Sequence, residues 1–131
     1  MKNILILESK QNTGSLNRMY QAWFENIYEL DVVAKITDVI DLTKEKRYQL
    51  AIIEPFDFLD TGDKKYQKLY IILSHLEEKN IPILYNTTLY SEYDLSINSD
   101  GLKKINKIFN YPIIEKFDFN NLEKAIIENI K

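Results

Sequence analysis

Four short, unbroken apolar runs punctuate the chain: NILIL at Asn3–Leu7, LAII at Leu50–Ile53, IPILY at Ile81–Tyr85 and YPII at Tyr111–Ile114. A fifth, weaker run is VVAKI at Val32–Ile36. Continuous apolarity over so few residues suits a strand covered on both faces, because a strand with one wet face would alternate. Between the runs, apolar residues recur at helical spacing. Leu16, Met19, Tyr20, Trp23, Phe24, Ile27 and Leu30 predict a first helix, with Thr13 or Ser15 as its cap and with Met19 and Trp23 in the core. Tyr66, Leu69, Tyr70, Leu73 and Leu76 predict another, ending near Lys79 and Asn80. Leu102, Ile105, Ile108 and Phe109 mark a shorter helix after Ser99 and Asp100. Leu122, Ala125, Ile126 and Ile130 mark the last, capped by Asp118. A short helix over Asp41–Arg47 completes the alternation, although its pattern is poor. Strand and helix thus alternate five times. That order predicts an α/β fold, a doubly wound five-stranded parallel sheet with helices on both faces and right-handed crossovers. A chain of 131 residues is long enough for one such domain over residues 1–131.

Composition removes several function classes. The chain carries 17 Lys and Arg against 20 Asp and Glu, a net charge of −3, with no broad basic surface for nucleic acid. Cysteine is absent, which removes disulfides, thiolate chemistry and cysteine metal sites. A single histidine, His75 beside Ser74 in mid-helix, rules out a His-rich metal site and reads as a surface or satisfied residue. The N-terminal apolar run stops at Glu8 without a small-residue cleavage site. No apolar stretch approaches the roughly 20 residues that span a bilayer, so the expected location is cytoplasmic, away from membranes. The one long irregular piece is YSEYDLSINS, Tyr90–Ser99.

In open parallel sheets the functional groups gather where strands end, at the crevice where strand order reverses. The residues at those tips are Glu8 and Ser9, Glu54, Asn86 and Thr87, and Glu115 and Lys116. Their order and spacing resemble those of response-regulator receiver domains, over essentially the whole chain. ILILES puts Glu8 and Ser9 where that family holds Mg²⁺ with an acid pair. QLAIIE puts Glu54 at the position of the phosphate-accepting aspartate, and Gly62 falls where the family has a loop glycine. IPILYNTT puts Thr87 at the hydroxyl position, and IIEKFDFNNLEKAI puts Lys116 at the lysine position.

The departures from that pattern bear on chemistry. Glu54 replaces the aspartate, Ser9 replaces a metal acid, and Phe117 replaces the proline after the lysine. Phe58 stands where the family has a proline, Pro55 directly follows Glu54, and Ile113 replaces an aromatic switch residue. The connection from Thr87 to Lys116 is also longer than usual. A glutamate is one methylene longer than aspartate, so its oxygens reach roughly 1–1.5 Å beyond the attack position. Misplacement on that scale costs about a hundredfold in rate. Mg²⁺ requires near-octahedral oxygen ligation, to which Glu8 and Glu54 would contribute longer and less firmly held carboxylates.

The resemblance therefore implies a degenerate, phosphorylation-deficient pseudo-receiver of flavodoxin-like fold, with no enzymatic activity and no cofactor beyond weak Mg²⁺ binding. It implies two-component-type signalling through a protein partner bound in trans, since no output domain follows the last helix. A homodimer is one form of that contact. The expected contact face comprises Leu102–Phe109, Ile113–Lys116 and the last helix. Two readings of Glu54 stand side by side: an ion pair with Lys116 that holds one conformation without phosphate, or a solvated acid at a strand end. Asp57 and Asp60 are expected only to solvate the following loop. The alternatives are a conventional Mg²⁺-dependent phosphorylated receiver and a flavodoxin-like FMN-binding protein. The latter would use Asn12-Thr13-Gly14-Ser15 as an anion loop, but Gln11 stands where a threonine belongs. No Gly-x-Ser-x-Gly elbow, Walker loop or Ser/His/Asp set is present.

Overall fold

The computed structural model describes residues 1–8, 18–60, 62–87, 103–107, 109–116 and 118–131. Five strands, β1 (Lys2–Leu7), β2 (Tyr28–Val33), β3 (Leu50–Ile53), β4 (Ile83–Thr87) and β5 (Ile113–Glu115), form one parallel sheet in the order β2-β1-β3-β4-β5. Helical segments are α1 (residues 18–24), α2 (Ile36–Glu45), α3 (Gln67–Glu78), α4 (residues 103–107) and α5 (Phe119–Asn129). A short 3-10 turn, Pro55–Phe58, follows β3.

Successive strand residues point to opposite faces, and both faces here are apolar. Leu5, Leu7, Ala51, Ile53, Ile83 and Tyr85 pack with Val39 of α2, with Leu69, Leu73 and Leu76 of α3, and with Ile105 of α4. Ile4, Ile6, Leu50, Ile52 and Leu84 pack with Tyr20 and Phe24 of α1 and with Leu122, Ala125 and Ile126 of α5. Every residue of β3 and β4 is buried, which is why their sequences do not alternate. Each fully buried aliphatic side chain contributes about 1.5–3 kcal/mol.

The first helix and second strand depart from the sequence expectation. The helix stops at residue 24, the Ile27 N–H closes a turn onto the Phe24 carbonyl, and β2 begins at Tyr28. Tyr28, Leu30 and Val32 lie two apart and all pack on the cluster containing Ile4 and Ile6. That period-two pattern, paired along the whole of β1, prevails over the three-four spacing that carried the helix to Leu30. The weak strand expected over Val32–Ile36 therefore lies earlier, and Ile36 opens α2. Helix α2 runs Ile36–Glu45 in place of Asp41–Arg47, with Val39 as its buried residue. Met19 and Trp23, expected in the core, are 39% and 43% exposed. Tyr20 and Phe24 take the inward positions of α1, and the Trp23 ring stacks on Phe119 with centroids 5.3 Å apart.

Other ends follow local chemistry. After α3, Asn80 adopts φ 56°, the Asn80 N–H bonds to Glu77 O, and the Ile81 N–H bonds to Leu76 O. This is a Schellman closure with its accompanying apolar contact, Leu76 and Ile81 being buried in one cluster. At α5 the Asp118 carboxylate accepts from the Asn121 N–H, as an N-cap should. The Thr13 or Ser15 cap, the Asn12–Ser15 loop and the irregular Tyr90–Ser99 stretch lie outside the described residues. Among the described residues no helix is long and apolar enough to cross a membrane.

Candidate functional site at the strand tips

The chain passes from β1 to β2 on one side and from α2 to β3 on the other, so winding reverses between β1 and β3. Ligand crevices in open α/β sheets form outside the carboxyl ends of such strands. Glu8 follows β1 and Glu54 follows β3. Backbone pairing runs one residue past these strands: the Glu8 N–H donates to Val33 O and the Glu54 N–H to Leu7 O, both at 3.0 Å. The Lys116 N–H likewise donates to Thr87 O at 2.9 Å. The side chains at the tips are thus delivered from fixed backbones.

Glu8, Glu54, Thr87 and Lys116 converge. Thr87 Oγ1 donates to Glu54 Oε1 at 2.8 Å. Lys116 Nζ lies 3.5 Å from Glu8 Oε2 and 3.6 Å from Glu54 Oε2. Glu8 is 1% and Glu54 6% exposed, and Thr87 is wholly buried. Glu54 is therefore a buried group and not a solvated strand-end acid, and its carboxyl lies within ion-pair distance of Lys116. The contact is electrostatic more than hydrogen-bonded, since 3.6 Å is beyond hydrogen-bond range. Glu54 Oε2 is buried without a hydrogen-bond donor among the described residues.

One ammonium faces two carboxylates, and burial decides the protonation. Desolvation pushes the Glu54 carboxyl up to about 8, and the opposing influence of Lys116 and the Thr87 hydroxyl does not cancel it. Glu8 is raised as well, burial outweighing the Lys116 charge. Near neutrality burial favours the protonated form of Glu54, and it disfavours the charged form of Glu8 in the same direction.

Three further groups shape this pocket: Asn86, named among the strand tips but given no role there, and Tyr20 and Asp57, which the sequence did not place in it. The Tyr20 hydroxyl donates to Asn86 Oδ1 at 2.6 Å and lies 3.3 Å from Glu8 Oε1. Asn86 Nδ2 donates to Ile114 O at 3.2 Å, tying β4 to β5 beside the pocket. Helical spacing marks Tyr20 as apolar core and carries no sign of its hydroxyl's task. Asp57, expected only to solvate a loop, is close enough for its charge to raise both glutamates. The reason is the 3-10 turn, with Pro55 in its first turn, which folds the Asp57 N–H back onto Glu54 O at 3.3 Å. Ser9 and Phe117 lie outside the described residues. His75 Nε2 sits 2.8 Å from Thr43 Oγ1, joining α3 to α2 far from this pocket.

The expected contact face carries little exposed apolar surface among the described residues. Ile105 and Phe109 are buried, and Ile127 is its one large exposed hydrophobic. The other exposed large hydrophobics beyond Met1 lie around α1 (Met19, Trp23, Ile27) and on α3 (Tyr70, Ile71).

The fold is that of receiver domains of response regulators. The chain is similar in structure to the signal receiver domain of a LuxO repressor protein from Vibrio parahaemolyticus, with TM-score 0.62 and 17% identity over 98% of this chain and 88% of that one. It is also similar to the response regulator TrrA from Thermotoga maritima, crystallised with Mg²⁺–BeF, with TM-score 0.61 and 17% identity over 99% of this chain and 100% of that one. No protein-family model and no curated protein matches the sequence.

Among the described residues no group of three or more acidic, histidine or cysteine side chains is arranged to hold a metal ion. The space between the Glu8 and Glu54 carboxylates is served by the Lys116 ammonium, and Mg²⁺ needs several oxygen donors at about 2.1 Å in near-octahedral array.

Proposed function

We propose that this chain is a pseudo-receiver: a receiver-like module of two-component-type signalling that acts in the cytoplasm by protein contact, without phosphoryl transfer. Its partner binds in trans, as a different protein or as a second copy, at the face formed by α4, β5 and α5. No catalytic residue and no resident cofactor is assigned, and nucleic acid is not a partner.

The observation that carries this reading is the buried Glu54 carboxyl, held by Thr87 and facing Lys116. In a receiver fold these are the groups that would bracket an incoming phosphoryl oxygen, and here a protein carboxyl already satisfies them. Nucleophilic attack also needs an ionised carboxylate, whereas burial keeps Glu54 protonated up to about pH 8. The longer side chain adds misalignment, which alone costs about a hundredfold. The receiver frame is kept while its chemistry is blocked.

The test is incubation with acetyl phosphate and Mg²⁺, followed by intact-mass measurement and by tryptophan fluorescence with beryllofluoride. The wild-type chain should show neither a phosphoryl adduct nor a spectral change, while Glu54→Asp with Ser9→Asp should gain Mg²⁺ binding. Ready phosphorylation of the wild-type chain at Glu54 would overturn the proposal.

A further inference from the structure

A second cluster of charge lies at the opposite end of the sheet. A cavity of about 420 Å³ opens where the C-termini of α2 and α3 meet the strand starts, lined by Thr43, Lys44, Lys46, Arg47, Lys79 and Asn80 among others. Four of its lining residues are cationic, with Glu45 the one acid among them. The excess of acids over the whole chain conceals this segregation. Lys131 Nζ joins the same rim, bonded to Asn80 O at 2.6 Å.

The cations are not alike in what they do. Lys46 is engaged, 2.9 Å from Asp31 and 3.8 Å from Glu29. Lys44, Arg47 and Lys79 are exposed and form no ion pair among the described residues. Helix C-termini attract cations, but each carries only about half a negative charge. The ends of α2 and α3 together offset about one unit and Glu45 one more, against three cations without an ion pair among the described residues and Lys131 on the same rim. Unneutralised positive charge around a concavity is the chemistry that takes up an anion.

From this juxtaposition we propose that the cavity at the Lys44–Arg47–Lys79 rim binds a small polyanion bearing two or more phosphate groups. Its volume falls within the range of small-molecule sites, roughly 300–1,000 Å³. Arg47 supplies a planar fork suited to two oxygens of one phosphate, and Lys44 and Lys79 act as point charges for a second. Tyr48 is 2% exposed and its hydroxyl is committed to Asp31 at 2.6 Å, so no open aromatic face is offered to a base. Recognition falls on the phosphates themselves. The site lies at the other end of the sheet from the strand-tip pocket, with β3 between them, a strand of four residues or about 13 Å, and is independent of how that pocket is read.

Isothermal titration of the full chain with inorganic pyrophosphate and tripolyphosphate, at constant ionic strength, tests this. Saturable binding is expected, tighter for tripolyphosphate and weakened at least tenfold in Lys44→Ala/Arg47→Ala/Lys79→Ala. Arg47→Ala alone should give a partial loss, and Glu54→Gln none. Absence of saturation, or equal affinity in a triple variant that melts as the wild type does, would overturn the assignment. Pelleting with phosphatidylglycerol vesicles that excess pyrophosphate fails to reverse would overturn it too, by assigning the rim to a lipid surface.

Discussion

Thr87 Oγ1 donates to Glu54 Oε1 across 2.8 Å, linking the tips of the adjacent strands β4 and β3 in a fully buried contact. The extra methylene of glutamate is what lets the carboxyl meet the hydroxyl directly. Thr87→Val keeps the shape and removes the donor, leaving both Glu54 oxygens unbonded. The loss expected is about 1–3 kcal/mol, the penalty of a buried polar group without a partner. Thr87→Ser should recover most of it in chemical denaturation. Equal stability of the valine variant would mean that the contact contributes nothing.

Stability should fall as pH rises through neutrality. Glu54 holds its proton up to about pH 8 in the fold, against a reference value of 4.5. Between these values the native chain binds more protons than the unfolded chain, so rising pH favours unfolding. The contribution is complete below the lower value and gone above the higher one, with a slope approaching about 1.4 kcal/mol per pH unit. Glu8, also raised, acts in the same sense. Asp31 acts oppositely, because hydrogen bonds from Lys46 and Tyr48 outweigh its burial and hold it below 3.8, outside this window. Urea midpoints should be lower at about pH 8.5 than at about pH 5.5, and Glu54→Gln should remove most of the difference. A flat wild-type profile would show Glu54 ionised throughout.

Removing Lys116 should matter most in alkali. Above about pH 8 Glu54 ionises, and Lys116→Ala strips it and Glu8 of their shared cation. Breaking a buried pair from one side costs about 3–5 kcal/mol. At acid pH the neutral Glu54 reduces that cost. A calorimetric comparison at the two pH values that finds the same loss in both would argue that the ammonium plays no electrostatic role.

Asp118→Ala should destabilise α5 by about 0.5–2 kcal/mol, the range for loss of an N-cap acceptor. Asp118→Asn should cost less, since its amide oxygen still accepts from the Asn121 N–H. Thermal melts of the two variants decide this, and equal losses would point to charge in place of capping.

Much of the architecture is legible in local sequence. LAII is all buried apolar and can only be an interior strand, and β3 occupies Leu50–Ile53 as read. The close of α3 is legible because Asn80 tolerates the left-handed turn that ends it, and the start of α5 because Asp118 is a capping residue. The stretch from Met19 to Leu30 misleads because three-four and alternate spacing coexist there. Only pairing with β1 decides that Tyr28 onward is strand. Met19 and Trp23 share the apolar character of Tyr20 and Phe24, and helix rotation against the sheet alone determines which pair is covered.

The sequence by itself determined the order of strands and helices, because hydrophobic period and capping chemistry act over a few neighbouring residues. It also determined which polar residues stand at the strand tips. Only the tertiary structure decided what those residues do to one another. Glu8 and Lys116, 108 positions apart, meet because parallel strands bring all their carboxyl ends to one edge. The state of Glu54 follows from the same closure. Burial removes water from its carboxyl, one lysine is shared between two acids, and the balance of those two effects has no signature in the letters alone.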